Sequence, residues 1–520
     1  MKTLVFLYVD SNSLHLFDKV FDGKSAFYRS LTWADSVEQT AGTVVLACDK
    51  YLQNVNEEIG DFNNIQVISH AEWNVTNLLE QIRSCCEKTE AENVIYAFAD
   101  CPFLNLELTQ SLIETHTKYC AEYTFADGYP YGFAPEVISS DVIKLFLQLN
   151  KQENIHDVKK DSLFSLIKKD INSFEVETVL AEDDWRMFRM SFDCASLQGL
   201  KACSALFDMN LQTNNPDEIS KVASQNVNIL KTVPSFYNIE ICGKCLGLCS
   251  YCPHAEEGKK STQLMNLDSF KKLVKKISDF SENAVISLSA FGDPVLHPEF
   301  TEFVKTVLAE QGLPVLIETD GINLNEAIIK ELSDFANSVP ARTNGYQKIM
   351  WIVSIDAMTK ETYGLLRGNS ENFGYANAIV ALLQNYFAGS VYPQLVRMNE
   401  NEHELESFYR FWSDKNSPSC GNLIIQKYSN YCKTLPDKKP TDLSPIERNP
   451  CWHLRRDMTI RSDGNVVVCK EKFADGFVGN VFNEDLNTIW QQFTPLVEEQ
   501  IRQEYSKKCG DCDEYYTFNF

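Results

Sequence analysis

The sequence predicts an α/β protein. Its centre is a parallel sheet, curved or closed like a partial (β/α)6 barrel, with a separate α/β domain before it and a small cysteine-bearing domain after it. Three observations predict this. Between residues 231 and 433, short apolar runs alternate with amphipathic helical segments. Polar stretches at 211–226 and 434–449, rich in Asn, Asp and Pro, interrupt that rhythm. Ten of the 17 cysteines fall after residue 240, most of them in tight groups. The predicted divisions are therefore residues 1–210, a linker at 211–230, a barrel at 231–433 and a terminal domain at 434–520.

In the middle region the predicted strands are 236–241, 284–289, 314–318, 348–355, 393–398 and 423–427. Helices alternate with them: SFKKLVKKISDF after a cap at Asp268, then 299–310, 325–336, 377–386 and 402–412. In sheets of this kind the chemistry sits at the carboxyl ends of the strands. The N-terminal run MKTLVFLYVD is read as a buried first strand, because Asp10 interrupts it and no small-residue cleavage site follows.

Composition narrows the function classes. A formal charge of −24 argues against phosphate neutralisation on nucleic acid and against a basic membrane-surface patch. No run reaches the ~18–20 apolar residues of a membrane span. The chain is expected to be cytoplasmic, with no nucleic-acid or membrane partner. Its thiols are then expected to include metal ligands rather than a disulfide framework.

The stretch E-I-C-G-K-C-L-G-L-C-S-Y-C-P-H, residues 240–254, follows the first barrel strand. Cys245, Cys249 and Cys252 are spaced to converge from one loop on one soft metal or cluster. A tetrahedral zinc site wants four ligands, commonly as two separated pairs. Three thiols on one loop instead suit a [4Fe–4S] cluster with one iron left open. Cys242 is then a packed thiol on the strand side.

From these cysteines and the turns that follow, residues 234–427 resemble the radical S-adenosylmethionine (SAM) superfamily. Tyr251 stands just before the third cysteine, where the resemblance implies a place near the adenine. F-G-D-P, with Gly292, Asp293 and Pro294, is similar to the family's G-E-P turn and implies contact with the SAM amino group. E-T-D-G, with Thr319, is similar to its T-N-G element. S-I-D, with Ser354 and Asp356, matches a position that faces the ribose or carboxylate. The resemblance implies reductive cleavage of SAM to methionine and a 5′-deoxyadenosyl radical, which abstracts a substrate hydrogen. It also implies an electron donor such as flavodoxin or ferredoxin.

A second cysteine group follows. Cys451 precedes a predicted strand, Ser462-Asp463-Gly464 is a hairpin signal, Cys469 closes the return strand, and Cys509 and Cys512 form a C-x-x-C pair. Spacing alone admits zinc or iron–sulfur. The arrangement resembles the SPASM domain that follows the barrel in many radical SAM maturases. Phe518 stands where that family has its next cysteine, so the resemblance implies one auxiliary [4Fe–4S] cluster. Cys420 and Cys432 are spares, read as plain thiols, with substitution of either as a fourth ligand the alternative.

Residues 1–210 contain strand patterns at 43–48 and 93–98, the second ending in A-D-C-P-F. The region is similar to cytidylyltransferase-type nucleotidyltransferases, which implies Mg²⁺ at Asp100 and Asp193. The segment V-D-S-N-S-L-H-L-F-D-K lacks the glycines that let a backbone cradle phosphate. A degenerate domain is therefore expected. The whole layout is similar to that of the spiro-SPASM proteins. The substrate stays open between a peptide or protein and, as an alternative, a nucleotide-linked sugar held by the first domain. The non-enzymatic alternative is a zinc-binding or scaffold protein.

Overall fold

A computed structural model describes residues 2–153, 155–253, 263–343, 345–472, 476–505 and 509–517. Phe518 lies outside the described residues. The chain divides into two compact units, residues 1–230 and 231–520.

The first unit is built on a seven-stranded sheet. Its strands are β1 (Thr3–Tyr8), β2 (Thr40–Cys48), β3 (Ile65–His70), β4 (Asn93–Phe98), β5 (Tyr123–Asp127), β6 (Glu136–Ser139) and β7 (Val176–Leu180). Their order is β3-β2-β1-β4-β6-β5-β7. All six residues of β1 are buried, as the apolar N-terminal run predicts for a central strand. The first four strands pair in parallel, while β6 runs antiparallel to both its neighbours. Of the seven thiols in this region all are buried except Cys120, which is exposed.

Residues 211–230, expected to be a linker, carry helices Pro216–Ser224 and Val227–Leu230 and group with the first unit. Asp217 holds the segment down. Its carboxylate accepts the Tyr129 hydroxyl and the Glu182 N–H, each at 2.9 Å.

The second unit is built on a nine-stranded sheet. Six strands make the curved parallel part: β8 (Phe236–Ile239), β9 (Val285–Ser287), β10 (Val315–Thr319), β11 (Ile349–Ser354), β12 (Val391–Arg397) and β13 (Ile424–Lys427). Three more follow: β14 (Asp457–Ile460), β15 (Asn465–Val467) and β16 (Phe477–Asn480). The order is β13-β12-β11-β10-β9-β8-β14-β15-β16. Alternate residues face the two sides of the strands. One face presents the buried cluster Phe236, Val285, Leu316, Met350 and Ile352. The other presents Tyr237, Ile286, Ile317 and Trp351, which are fully buried.

Four local features differ from the expectation. The first barrel helix starts at Leu267, capped by Asn266, whose side chain accepts the Ser269 N–H; Asp268 sits in its first turn. A helix unforeseen from the sequence, Lys360–Arg367, starts at a Thr359 cap and stops at left-handed Gly368. The C-terminal hairpin is not an independent layer: β14 pairs in parallel with β8, Asp457 opposite Phe236 through Ile460 opposite Ile239. Cys451 precedes the short helix Trp452–Arg456 rather than β14 itself.

Candidate functional site: a thiol-lined cavity at the strand ends

The loop after β8 carries the first cysteine group. Cys245, Cys249 and Cys252 are half-buried and line a cavity of about 170 Å³. Gly247 lies between two of these sulfurs. A β-carbon there would stand 3.3 Å from the Cys249 Sγ and 3.5 Å from the Cys245 Sγ. Burial pushes the Cys245 thiol up to about 12 and raises Cys249 as well. Such thiols stay neutral at pH 7 until a metal centre takes their protons. Cys242 is fully buried, pairs with Leu264 and does not line the cavity.

The F-G-D-P turn after β9 is bonded onto this loop. The Asp293 N–H donates to the Lys244 carbonyl at 2.9 Å. A β-carbon at Gly292 would stand 2.0 Å from the Cys242 carbonyl oxygen, so only glycine fits. The buried Asp293 carboxylate accepts the Val295 N–H at 3.0 Å and the Thr319 hydroxyl at 2.9 Å. Burial, and then the neighbouring Asp320 charge, raise its pKa to about 7. A carboxylate so placed favours a cationic or N–H-donating guest.

Of the residues expected around SAM, Tyr251, Gly292, Asp293, Thr319 and Ser354 line this one cavity. Pro294 and Asp356 do not. Pro294 is buried and opens the short turn Pro294–Leu296. Asp356 is fully buried and its oxygens are already committed. Oδ1 accepts the Val396 N–H at 2.8 Å, and Oδ2 accepts Arg367 at 2.7 Å and the Tyr251 hydroxyl at 2.5 Å. Its task is to hold the wall, not to reach a ribose. Arg367, on the unforeseen helix, also donates to the Tyr251 oxygen at 2.7 Å and lines the cavity. The T-K-E-T-Y-G-L-L-R-G cap pattern is the signal that could have found it.

Glu318 and Lys470 line the thiol cavity and also a second cavity of about 720 Å³. The larger cavity is walled by β13 with Tyr428, by barrel residues such as Asn238, Leu316 and Gln394, and by the C-terminal segment at Arg456, Asp457, Cys469 and Glu514.

The second cysteine group lies in the same unit as the first. Cys451 is buried, while Cys469, Cys509 and Cys512 are half-buried. Burial pushes Cys451 up to about 12, and the charges of Cys512 and Cys509 push the same way. Burial raises Cys469, which also feels Cys512 and Cys451. Cys432, read from sequence as a plain thiol, lies near enough to Cys512 to raise its pKa. Among the described residues no three His, Cys, Asp or Glu side chains close on a single-ion site.

In the first unit Asp100 and Asp193 do converge, and both are buried. The cation between them belongs to the chain. The Lys160 Nζ lies 2.8 Å from Asp193, and its charge acts on Asp100 as well. It also lies 4.2 Å from the centre of the Tyr131 ring. Asp100 accepts the Ser13 hydroxyl at 2.6 Å, and Asp193 accepts the Ser191 hydroxyl. A lysine ammonium thus lies at the two aspartates expected to hold Mg²⁺.

A parallel-strand barrel with three thiols on its first loop, a glycine–carboxylate turn on its second strand end and a cysteine-bearing extension defines the class of SAM-dependent radical enzymes. The chain matches the radical SAM superfamily over residues 239–411 and the SPASM iron-sulfur cluster-binding domain over residues 451–513. An uncharacterized protein of Treponema pallidum (strain Nichols) is 38% identical over 365 residues, 69% of this chain and 98% of its own. Streptococcus suis SuiB, solved with its precursor peptide SuiA, aligns at 13% identity over 73% of this chain and 84% of its own, with a TM-score of 0.41. A cytidylyltransferase of Leptospira borgpetersenii serovar Hardjo-bovis aligns at 13% identity over 44% of this chain and 97% of its own, with a TM-score of 0.36. The chain belongs to the radical SAM superfamily, in its SPASM subgroup. Its cofactors are SAM and a [4Fe–4S] cluster, with further iron–sulfur ligation in the SPASM domain.

Two substitutions test these contacts. Arg367→Ala leaves Asp356 buried and unpaired, and is expected to cost about 3–5 kcal/mol in urea unfolding, with Arg367→Lys intermediate. Lys160→Ala leaves two buried carboxylates facing each other. It is expected to destabilise the first unit by about 1–3 kcal/mol, part of which millimolar Mg²⁺ restores, while the unsubstituted chain ignores Mg²⁺ in the same melt.

Proposed function

We propose that this enzyme abstracts a hydrogen atom from a peptide or protein segment admitted to the 720 Å³ cavity, with the radical generated in the adjoining thiol-lined cavity. The observation that carries this reading is the shared wall: Glu318 and Lys470 border both spaces, so a radical formed in one meets a guest held in the other.

The donor set fits the cofactors. Cys245, Cys249 and Cys252 would hold the SAM-binding [4Fe–4S] cluster, and Cys451, Cys469, Cys509 and Cys512 the auxiliary one. When bound, reduced cluster and SAM together supply a 5′-deoxyadenosyl radical. The chain's own work is binding and exclusion of water. Asp293, tied to Thr319, would accept N–H donors from the SAM amino group. Ser354 and the Tyr251 ring border the remaining space. Arg367 and Asp356 keep the Tyr251 hydroxyl fixed, so the ring cannot swing out. The electron donor in this reading is a flavodoxin or ferredoxin.

The peptide substrate is supported by the edge of the sheet. β13 ends it, with β12 its strand partner, and Ile424–Lys427 border the larger cavity. A free strand edge offers main-chain donors and acceptors to an extended segment. The nucleotide-sugar alternative is disfavoured by Lys160, because sugar-nucleotide phosphates in a Mg²⁺-dependent site need the cation position that this ammonium fills.

The test is anaerobic iron, sulfide and deoxyadenosine analysis. The purified chain is expected to carry about eight irons and to cleave SAM on reduction. Cys245→Ala, Cys249→Ala and Cys252→Ala together are expected to abolish cleavage and leave about four irons. Persistent cleavage, or a colourless zinc-loaded chain, would overturn the reading.

A further inference from the structure

The five residues before and after Cys432 are built to bring it to the auxiliary thiols. Tyr431, Cys432 and Lys433 take φ values of 51°, 53° and 66° in succession. Three consecutive side-chain-bearing residues in the left-handed region are unusual, and surrounding contacts must hold them there. Those contacts are to the segments that carry the auxiliary cysteines. On one side the Ser429 hydroxyl donates to Glu471, two residues after Cys469. On the other the Lys433 Nζ lies 2.5 Å from Asp511, inside the Cys509–Cys512 pair. Between these two ties Cys432 is placed near Cys512, whose pKa it raises. The turn also sets Tyr431 into the wall of the SAM-side cavity.

The ligand for these sulfurs follows from the family: residues 451–513 match an iron-sulfur cluster-binding domain. Cys432 lies 19 positions before that match begins, which is why spacing never recruits it. Five cysteines are therefore available to a cubane cluster that takes four protein ligands.

We propose that Cys432 is a fifth ligating thiol of the auxiliary cluster, able to take the coordination position that Cys512 serves. This rests on the reading that the 451–512 thiols hold a cluster. The surplus thiol makes the position exchangeable, so loss of one sulfur is tolerated and loss of both is not.

The experiment uses the full chain carrying Cys245→Ala, Cys249→Ala and Cys252→Ala, reconstituted anaerobically with iron and sulfide, so that only auxiliary iron is counted. Iron, sulfide and the electron paramagnetic resonance signal of the reduced protein are read for Cys432→Ala, Cys512→Ala and the double variant. Far-UV circular dichroism and the Ser versions control for folding. Each single variant is expected to keep about four irons, with a shifted signal in Cys512→Ala, while the double variant falls at least fourfold. If Cys512→Ala alone loses as much iron as the double variant, or if the double variant keeps its cluster, Cys432 is not a ligand. If the parent with all auxiliary cysteines binds no iron, the auxiliary-cluster reading itself fails.

Discussion

The second unit depends on the parallel register between β8 and β14. Strand β8 delivers the first cysteine loop, and β14 is the centre of the auxiliary segment. Four residue pairs, from Phe236 with Asp457 to Ile239 with Ile460, lock them side by side. Tyr237, Ile239, Met458 and Ile460 are fully buried at this seam, so a slip of one residue would turn apolar side chains out and polar ones in. The seam continues past the strands: the Ser462 hydroxyl donates to Glu240 at 2.7 Å, joining the hairpin turn to the entrance of the cysteine loop. The first cysteine loop and the hairpin that leads to Cys469 thereby leave neighbouring strands of one sheet.

Charge explains why the thiol cavity is shaped as it is. Asp293, Asp320 and Asp356 are all buried around it, in a region where unpaired carboxylates are costly. Asp356 is answered by Arg367 within the chain. Asp293 is answered by a hydroxyl and backbone N–H groups rather than by a cation, and burial with the Asp320 charge raises its carboxyl to about 7. The first unit shows the opposite solution, with Lys160 satisfying a pair of aspartates that would otherwise call for a metal.

Much of this was legible in sequence because it is local. The six barrel strands follow from apolar runs, and the loop cysteines from spacing, since Gly247 and Gly292 mark places where backbone and sulfur crowd. Asp356 was misassigned because sequence shows a strand-end carboxylate but not that three donors already surround it. Arg367 was missed because its helix is short, though its Thr359 and Gly368 caps were readable. Lys160, Lys470 and Cys432 carried no local signal. Lys160 and Cys432 acquire their meaning from neighbours on other elements, Asp193 and Cys512, and Lys470 from bordering the same cavities as Glu318.

The account's central claim is that the two thiol groups hold two distinct clusters, only one of which meets SAM. Electron paramagnetic resonance of the reduced, anaerobically prepared full chain, recorded with and without SAM, tests it most directly. The account predicts two overlapping iron–sulfur signals, of which SAM shifts one and leaves the other unchanged. A single signal, or two that SAM leaves equally untouched, would contradict it.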